Sequence, residues 1–387
     1  MQVEPVAAEF QRIGAPAHHP SRRDSAGRDA RALRQFVRIG LAQGKARLAG
    51  AARGSRGAGG AQHNDSRNDP HGVCLRDGRN ALRYDNAMAR RFFTLDVFAK
   101  EPLAGNPLAV VIDAEGLDDA QMLRIAREFN LSETVFVLPA RNPVNTARIR
   151  IFTPAMELPF AGHPTVGSAV LLASLRAPEL AGTRDLTVVI EEEVGDVSCT
   201  VRLEKRGASF AYFHLPRLPE KIGAADARTL ADALALDEKD IGFDGHTPVV
   251  WSAGTPFCFV PVSGLDAIAR ARPDAQKLTP AAAGGRGLWL YTRETREADS
   301  AVHARMFSAM MPGLEDPATG GAAAAFAGVA HAFEKPEDGE HALVIEQGYE
   351  MGRPSRITLG MSVQGGALVA ATIGGHAVRV SEGTLAL

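Results

Sequence analysis

Two segments of this chain predict helices that have no polar face. Residues 165–175 and 322–333 are apolar or small, with no solvent-facing stripe before His331. A helix of this kind must be surrounded by protein on all sides. Each segment follows a polar loop that contains glycine, and Pro164 suits the first turn of a helix. The pattern therefore predicts two enclosed helices whose N-termini carry unpaired N–H groups and a positive dipole end.

Most of the remaining apolar pattern predicts strands. In the first half Asp118 and Gln121 form a capping box that opens a surface helix through Phe129. The strands expected around it are 92–98, 108–112, 131–138, 148–152, 186–192, 197–203 and 209–215. The second half repeats the plan, with a short helix at 229–236 and strands at 249–252, 257–262, 288–292, 305–307, 342–346, 356–361 and 367–373. We expect an α+β protein whose tail, 377–381, returns to the first half.

The first 88 residues differ from the rest of the chain. They hold 15 Lys and Arg against 8 Asp and Glu, whereas the remainder holds 28 against 37. Their Arg-, Gly- and Ala-rich composition predicts disorder. A basic amphipathic helix at 29–48, serving as a nucleic-acid arm or a targeting peptide, is the alternative. The simplest interpretation is an extension with no role in the fold, since Met88 would make a natural first residue.

Several classes of protein are disfavoured by what the sequence lacks. It has no apolar run of membrane-spanning length, so no membrane partner is expected, and no nucleic-acid partner is expected either. Cys74, Cys199 and Cys258 are far apart, which fits a reducing cytoplasm, and Cys199 shares the apolar face of its strand. Neither a GxGxxG nor a P-loop sequence occurs, and His and Cys have no metal-ligand spacing. We expect neither a metal nor an organic cofactor.

Three residues near the enclosed helices are candidates for proton chemistry. Glu133 lies at a helix-to-strand corner, His163 stands at the first helix start, and Asp316 precedes the second. Together they could move a proton on a small carboxylate substrate that backbone N–H groups hold. Each also has a structural interpretation: Glu133 as an exposed corner acid, His163 as a cap of its own loop, and Asp316 as a turn residue.

A set of short motifs resembles one family. The motifs occur in order as Asp96-Val97-Phe98, Gly105-Asn106-Pro107, Ser132-Glu133-Thr134, Phe152-Thr153-Pro154, Gly162-His163-Pro164-Thr165, Glu315-Asp316-Pro317-Ala318-Thr319-Gly320 and Gly352-Arg353-Pro354-Ser355. Each is weak alone, but their order over residues 90–387 resembles the phenazine-biosynthesis PhzF-type isomerases and epimerases.

The resemblance implies the diaminopimelate epimerase fold and usually a homodimer. Two similar domains, 89–215 with the tail 377–387 and 216–376, would each wrap a curved, mostly antiparallel sheet around a central helix. The implied catalytic residues are Glu133, His163 and Asp316. Substrate binding would fall to Asn106, Ser132, Gly162, Gly320 and Gly321.

Two departures from related patterns affect the expected chemistry. Amino-acid epimerases of this fold use a cysteine at each helix start, whereas Ala161, Thr319 and Gly320 stand there in this chain. Gly321 replaces a serine that is commoner in the family. We therefore expect a cofactor-independent isomerase that uses Glu133 as its base. An amino-acid epimerase with His163 or Asp316 as second base, or a non-catalytic carboxylate-binding protein, are the rivals.

Overall fold

The computed structural model describes residues 89–387. The predicted disorder of residues 1–88 and the possible helix at 29–48 lie outside the described residues. The helices are α1 (Asp119–Phe129), α2 (Gly162–Arg176), α3 (Ala227–Leu234), α4 (Leu265–Arg270), α5 (Ala275–Ala281) and α6 (Gly320–Glu334). Within 89–387 no helix is both long and apolar enough to cross a membrane.

Seventeen strands within the described range are connected by hydrogen bonds. The first eight are β1 (Ala89–Val97), β2 (Asn106–Val111), β3 (Glu133–Leu138), β4 (Ala147–Phe152), β5 (Glu157–Leu158), β6 (Asp185–Glu192), β7 (Gly195–Arg202) and β8 (Ser209–His214). The others are β9 (Glu220–Ala224), β10 (Val249–Ser252), β11 (Pro256–Pro261), β12 (Leu288–Thr292), β13 (Val302–Phe307), β14 (Glu315–Asp316), β15 (Gly339–Gln347), β16 (Ser355–Gln364) and β17 (Ala367–Ala386).

The same strand connectivity occurs twice. In the first half β2 pairs parallel to β3, β3 antiparallel to β4, and β4 parallel to β6, with β7 and β8 following antiparallel. In the second half β11 to β13 and then β15 to β17 repeat this order. Each half inserts a two-residue strand, β5 or β14, just before its enclosed helix. The α+β class is therefore confirmed, with mixed parallel and antiparallel pairing.

The last strand connects the two repeats. β17 pairs with β16 up to Gly374, with β8 from Thr372 to Ala377, and with β1 from Ala377 to Ala386. The expected return of the tail to the first half is confirmed. The strand is longer than expected, because pairing continues past the predicted end at residue 373 and only the partner changes.

The two enclosed helices lie at the centre of the core, as predicted. α2 packs against β1, β2, β3, β6, β7, β8 and β17, and α6 packs against β9, β10, β11, β16 and β17. Val166 and Leu171 of α2 belong to the same apolar cluster as Phe326 and Val329 of α6. The core is therefore continuous between the repeats. Smaller clusters lie beneath α1 and beneath α3 to α5.

The N-termini of α2 and α6 touch through glycine. A methyl group on Gly162 would lie 3.0 Å from Gly320 Cα, and one on Gly320 would lie 3.1 Å from Gly162 Cα. Both neighbours are backbone atoms and cannot rotate away. Glycine at these two positions therefore permits two positive helix ends to meet inside one protein.

Some elements differ from the predictions. α4 and α5 are short, α5 contains Pro280, and neither has the repeating apolar pattern of a longer helix. β9 was not predicted, because this largely exposed strand lacks apolar alternation. The strand expected at 197–203 begins two residues earlier, because Gly195 already pairs with Glu192. Cys199 lies in the core, as predicted.

The contact between the helix ends predicts a selective effect of alanine. Gly162→Ala and Gly320→Ala should each lower the free energy of unfolding by about 1–3 kcal/mol, because the added methyl group pushes two backbones apart. Gly321→Ala is the matched control, since its methyl group would lie 3.5 Å from Phe257 Cε2, an ordinary contact. Urea unfolding measures all three variants. Equal stability of Gly320→Ala and Gly321→Ala would contradict the constraint.

Candidate active site

A pocket of about 340 Å³ opens at the meeting point of the two helix ends. Seven of the eight predicted site residues line it: Ser132, Glu133, Gly162, His163, Asp316, Gly320 and Gly321. Much of the remaining wall is apolar and rich in methionine, including Met156, Met306 and Met310. The volume suits a small molecule. Residues distant in the sequence thus contribute to one concave site.

Glu133 and His163 face each other in this pocket. Glu133 begins β3, His163 occupies the first turn of α2, and both side chains are buried. Glu133 Oε2 lies 3.3 Å from His163 Nε2, yet neither atom makes a hydrogen bond among the described residues. Two buried polar atoms without hydrogen-bond partners lower the stability of the folded protein unless a ligand forms hydrogen bonds with them. The exposed-corner interpretation of Glu133 is therefore wrong.

Burial changes the protonation of both side chains. Loss of solvent, together with the negative charge of Asp316, raises the pKa of Glu133 to about 8, and Arg286 opposes the shift. Burial lowers the pKa of His163 to about 3. The contact between them at neutral pH is consequently one between an uncharged imidazole and a mainly protonated carboxyl group. His163 therefore carries no charge at neutral pH and can take part in hydrogen bonds as a neutral imidazole.

Asp316 is held more firmly than Glu133. Its Oδ1 accepts hydrogen bonds from Asn106 Nδ2 at 2.9 Å and from Ser132 Oγ at 3.2 Å, and its Oδ2 accepts one from Thr319 Oγ1 at 2.6 Å. Burial raises the pKa of Asp316 to about 6, while these three donors lower it. Asp316 is therefore mainly ionised at pH 7, with both oxygens engaged.

Asn106 lies behind Asp316 and is not among the residues that line the pocket. It is fully buried, and besides Asp316 it donates to the Ala318 carbonyl at 2.9 Å. Its amide contacts the Asp316 carboxylate, and its contact with the substrate stays a prediction. Asn106 supports the site because its amide spans from the start of β2 to the loop before α6.

The two central helices lack the side-chain caps that α1, α3 and α5 have. Aspartate side chains cap α1, α3 and α5, whereas Ala161 and Thr319 precede α2 and α6 without a side-chain cap. The Thr319 hydroxyl donates to Asp316 instead of capping α6. Among the described residues His163 Nε2 has no hydrogen-bond partner, so the interpretation of His163 as a cap of its own loop has no support. Uncapped first-turn N–H groups suit a negative charge on a ligand.

A second set of contacts holds the loop before Asn106. The Arg353 guanidinium donates to Asp96 Oδ1 at 2.6 Å, to the Ala104 carbonyl at 2.7 Å and to the Gly105 carbonyl at 2.8 Å. Asp96 also accepts from the Leu103 N–H at 2.6 Å. Two motifs without an assigned role thereby fix the segment that positions Asn106.

Sequence reasoning missed two contributors. Gln347 is fully buried, donates to the Asp316 carbonyl at 2.7 Å, and accepts from the Thr319 N–H at 3.2 Å. Arg286 lines the pocket from the segment before β12. Neither stands in a glycine loop beside a helix start, so only the fold brings them to the site. Among residues 89–387 no cluster of His, Cys, Asp and Glu could hold a metal ion.

Known proteins resemble this chain over about three quarters of its length. A family model described as phenazine biosynthesis-like protein, PhzC-PhzF, matches residues 95–383. An uncharacterised isomerase of Mesorhizobium japonicum is 52% identical over 302 residues, covering 76% of this chain and 98% of the relative. Trans-2,3-dihydro-3-hydroxyanthranilate isomerase of Pseudomonas fluorescens is 32% identical over 305 residues, covering 76% of this chain and 99% of the relative.

A solved structure is similar over the same region. The phenazine biosynthesis protein of the PhzF family from Bacillus anthracis superposes with a TM-score of 0.68 at 29% identity, covering 77% of this chain and 99% of that one. The fold and the relatives together identify this protein as an isomerase. The chain belongs to the PhzF family of phenazine biosynthesis-like proteins.

The raised pKa of Glu133 predicts a pH-dependent cost to stability. The folded protein holds this proton more tightly than the unfolded chain, so the contribution of Glu133 to stability is fully present below pH 4.5 and is lost as the pH rises through about 8. Glu133→Gln should match the wild type at pH 4 and exceed it by on the order of a few kcal/mol at pH 9. Urea unfolding from pH 4 to 9 tests this. Parallel curves for the two proteins would contradict the assignment.

Loss of Arg353 should loosen the loop before Asn106. We expect Arg353→Met to lower the free energy of unfolding by about 1–3 kcal/mol, because buried acceptors lose their donors. The N–H groups of Leu103 and Gly105 should also exchange faster with solvent. Arg379→Met is the control, since Arg379 pairs with Glu382 on the surface at 3.6 Å and such pairs contribute little. Unchanged exchange at residues 103–106 would refute the role.

Proposed function

We propose that this protein catalyses a proton shift on a small carboxylate substrate by acid/base chemistry, without metal or organic cofactor. Glu133 would take a proton from carbon and return it elsewhere on the substrate. The uncapped ends of α2 and α6 would stabilise the negative charge that develops between these steps. The carrying observation is the buried Glu133 carboxyl group, which lines the pocket with one oxygen unpartnered.

The protonation of Glu133 supports this role. A group with a pKa of about 8 exchanges its proton readily at neutral pH, which suits both removal and return. His163, neutral beside it, would orient the carboxyl group or the substrate through a hydrogen bond. Asp316 would keep the pKa of Glu133 high through its negative charge.

The asymmetry between the two acids favours isomerisation over epimerisation. Inversion of a stereocentre by two bases needs a free acid or base on each face of the reacting carbon. Asp316 has both oxygens engaged by three donors, whereas Glu133 has no hydrogen-bonded side-chain partner among the described residues. One free carboxyl group suits removal and return of a proton on the same face.

Three further expectations remain proposals. The repeated connectivity supports two domains, 89–215 with the tail 377–387 and 216–376, because β17 leaves β16 and joins β1 close to residue 377. A cytoplasmic location fits the free, buried thiols of Cys199 and Cys258. Homodimer formation is proposed from the family resemblance.

Replacement of Glu133 tests the proposed function. With trans-2,3-dihydro-3-hydroxyanthranilate, the substrate in the name of the Pseudomonas fluorescens relative, and a panel of small amino and cyclic carboxylates, Glu133→Gln should lower turnover at least ~100-fold. Glu128→Gln, an exposed change on α1, is the matched control and should leave turnover unchanged. Circular dichroism checks that each variant is folded.

Deuterium labelling separates the proposed reaction from its rivals. In D₂O an isomerase gives a product with moved double bonds, while an epimerase labels the stereocentre without moving a bond. Full activity of Glu133→Gln on a turned-over substrate would refute the role of Glu133. Binding of carboxylates with neither label nor isomerised product from any panel compound would favour the non-catalytic alternative.

A further inference from the structure

We infer that Glu192 is a positioning residue, which keeps its proton and through Thr165 holds the start of α2 at the pocket. Glu192 ends β6 and is not among the residues that line the pocket. Its effect on turnover rests on the proposed function, because the start of α2 is where negative charge would develop. The presence of the proton is independent of that function.

The first support is a count of hydrogen atoms. Thr165 Oγ1 lies 2.8 Å from the Ala161 carbonyl oxygen and 2.7 Å from Glu192 Oε1. A hydroxyl group has one hydrogen atom to donate, and a carbonyl oxygen can only accept. Both contacts are therefore hydrogen bonds only if Glu192 donates to Thr165 and Thr165 donates to Ala161. An ionised Glu192 would leave one of the two acceptors without a donor.

The second support is the surroundings of Glu192. The side chain is buried, its Oε2 has no hydrogen-bond partner, and the described part of the chain gives it no ion pair. Burial raises the pKa of Glu192 to about 8, and the hydrogen bond with Thr165 opposes the shift. Cys199 on β7, whose pKa the charge of Glu192 helps to raise, is an uncharged thiol at neutral pH. A neutral carboxyl group is less costly than a carboxylate in such surroundings.

The third support comes from the second repeat, which has the same arrangement with an amide. Gln347 ends β15, the strand that corresponds to β6 in the repeated connectivity. Gln347 Nε2 donates to Thr319 Oγ1 at 3.0 Å, and Thr319 Oγ1 donates to Asp316 Oδ2 at 2.6 Å. A strand-end donor, a threonine hydroxyl and an acceptor before the helix thus occur beside both helix starts. Glu192 can match the amide of Gln347 only when it is protonated.

The proton on Glu192 affects both the geometry and the charge of the site. Ala161, Gly162 and His163 line the pocket where α2 begins. The Ala161 carbonyl is held by the Thr165 hydroxyl and by the Thr165 N–H at 3.2 Å. A neutral Glu192 leaves the positive end of α2 available to a charge in the pocket, whereas an ionised Glu192 would offset it.

Infrared spectroscopy tests the proton directly. Glu133→Gln is compared with the double variant Glu133→Gln/Glu192→Gln, so that Glu133 contributes to neither spectrum. At neutral pH the difference should show the C=O stretch of a protonated carboxyl group, and this band should disappear as the pH rises through about 8. Glu133→Gln/Glu193→Gln is the matched control and should lose a carboxylate band, because Glu193 is exposed. A carboxylate band from Glu192 at neutral pH would overturn the inference.

Variants of Glu192 and Thr165 test the positioning role. With trans-2,3-dihydro-3-hydroxyanthranilate, or any panel carboxylate that the wild type converts, Glu192→Leu should lower kcat ~10- to 100-fold and change KM less, because the helix start shifts. Glu192→Gln should restore most of the turnover, since an amide can donate to Thr165. Thr165→Val should cause a similar loss, and the double variant Glu192→Leu/Thr165→Val should lose less than the product of the two losses.

Controls and contrary results make the outcome specific. Glu193→Leu changes an exposed neighbour and should leave turnover unchanged. Wild-type kcat in Glu192→Leu, or a loss in Glu192→Gln as large as that in Glu192→Leu, would overturn the positioning role. Circular dichroism checks the fold, and if Glu192→Leu does not fold, Thr165→Val carries the turnover test. Full turnover by Glu133→Gln would refute the proposed function while leaving the infrared comparison intact.

Discussion

The meeting of two buried helix ends is the constraint on which the structure depends. α2 and α6 start within contact distance of each other, and glycine at positions 162 and 320 leaves the space for this. Two positive dipole ends repel, and both lack side-chain caps. Enclosure by one continuous apolar core offsets this cost. The pocket is therefore a direct consequence of how the core is assembled.

The protonation of the two acids in the pocket depends on the same two opposing effects, burial and the positive helix ends. Burial alone makes an ionised carboxylate costly, yet a negative charge beside two positive helix ends is favourable. Asp316 is stabilised by three donors, so it ionises below neutral pH, while Glu133 stays mainly protonated. Two acids in one pocket thus differ in protonation because their hydrogen-bond partners differ. The contacts of Asn106, Gln347 and Arg353 with the surrounding loops maintain that difference.

The sequence predicted those parts whose signal is local. Helices α2 and α6 follow from unbroken apolar composition, α1 from its capping box, and the clustering of Glu133, His163 and Asp316 from motif order. Arg286 and Gln347 were missed because neither stands beside a helix start, and only long-range packing brings Arg286 to the pocket and Gln347 to the backbone of Asp316. Asn106 was predicted to lie in the site. Its position behind Asp316 depends on β2 beginning at Asn106, which the sequence did not show. Chemistry set by long-range packing has no short-range signature.

The location of the thiols bears on the kind of chemistry this fold performs here. Cys199 and Cys258 are fully buried in strands, and burial raises the pKa of both thiols, that of Cys258 to about 12. Such thiols are protonated and unreactive. The helix starts, where epimerases of this fold carry their cysteines, hold Ala161 and Thr319, and Thr319 is bonded to Asp316. The chemistry of two thiols is therefore not open to this site, and the proposed proton transfer assigns the role of the base to Glu133 instead.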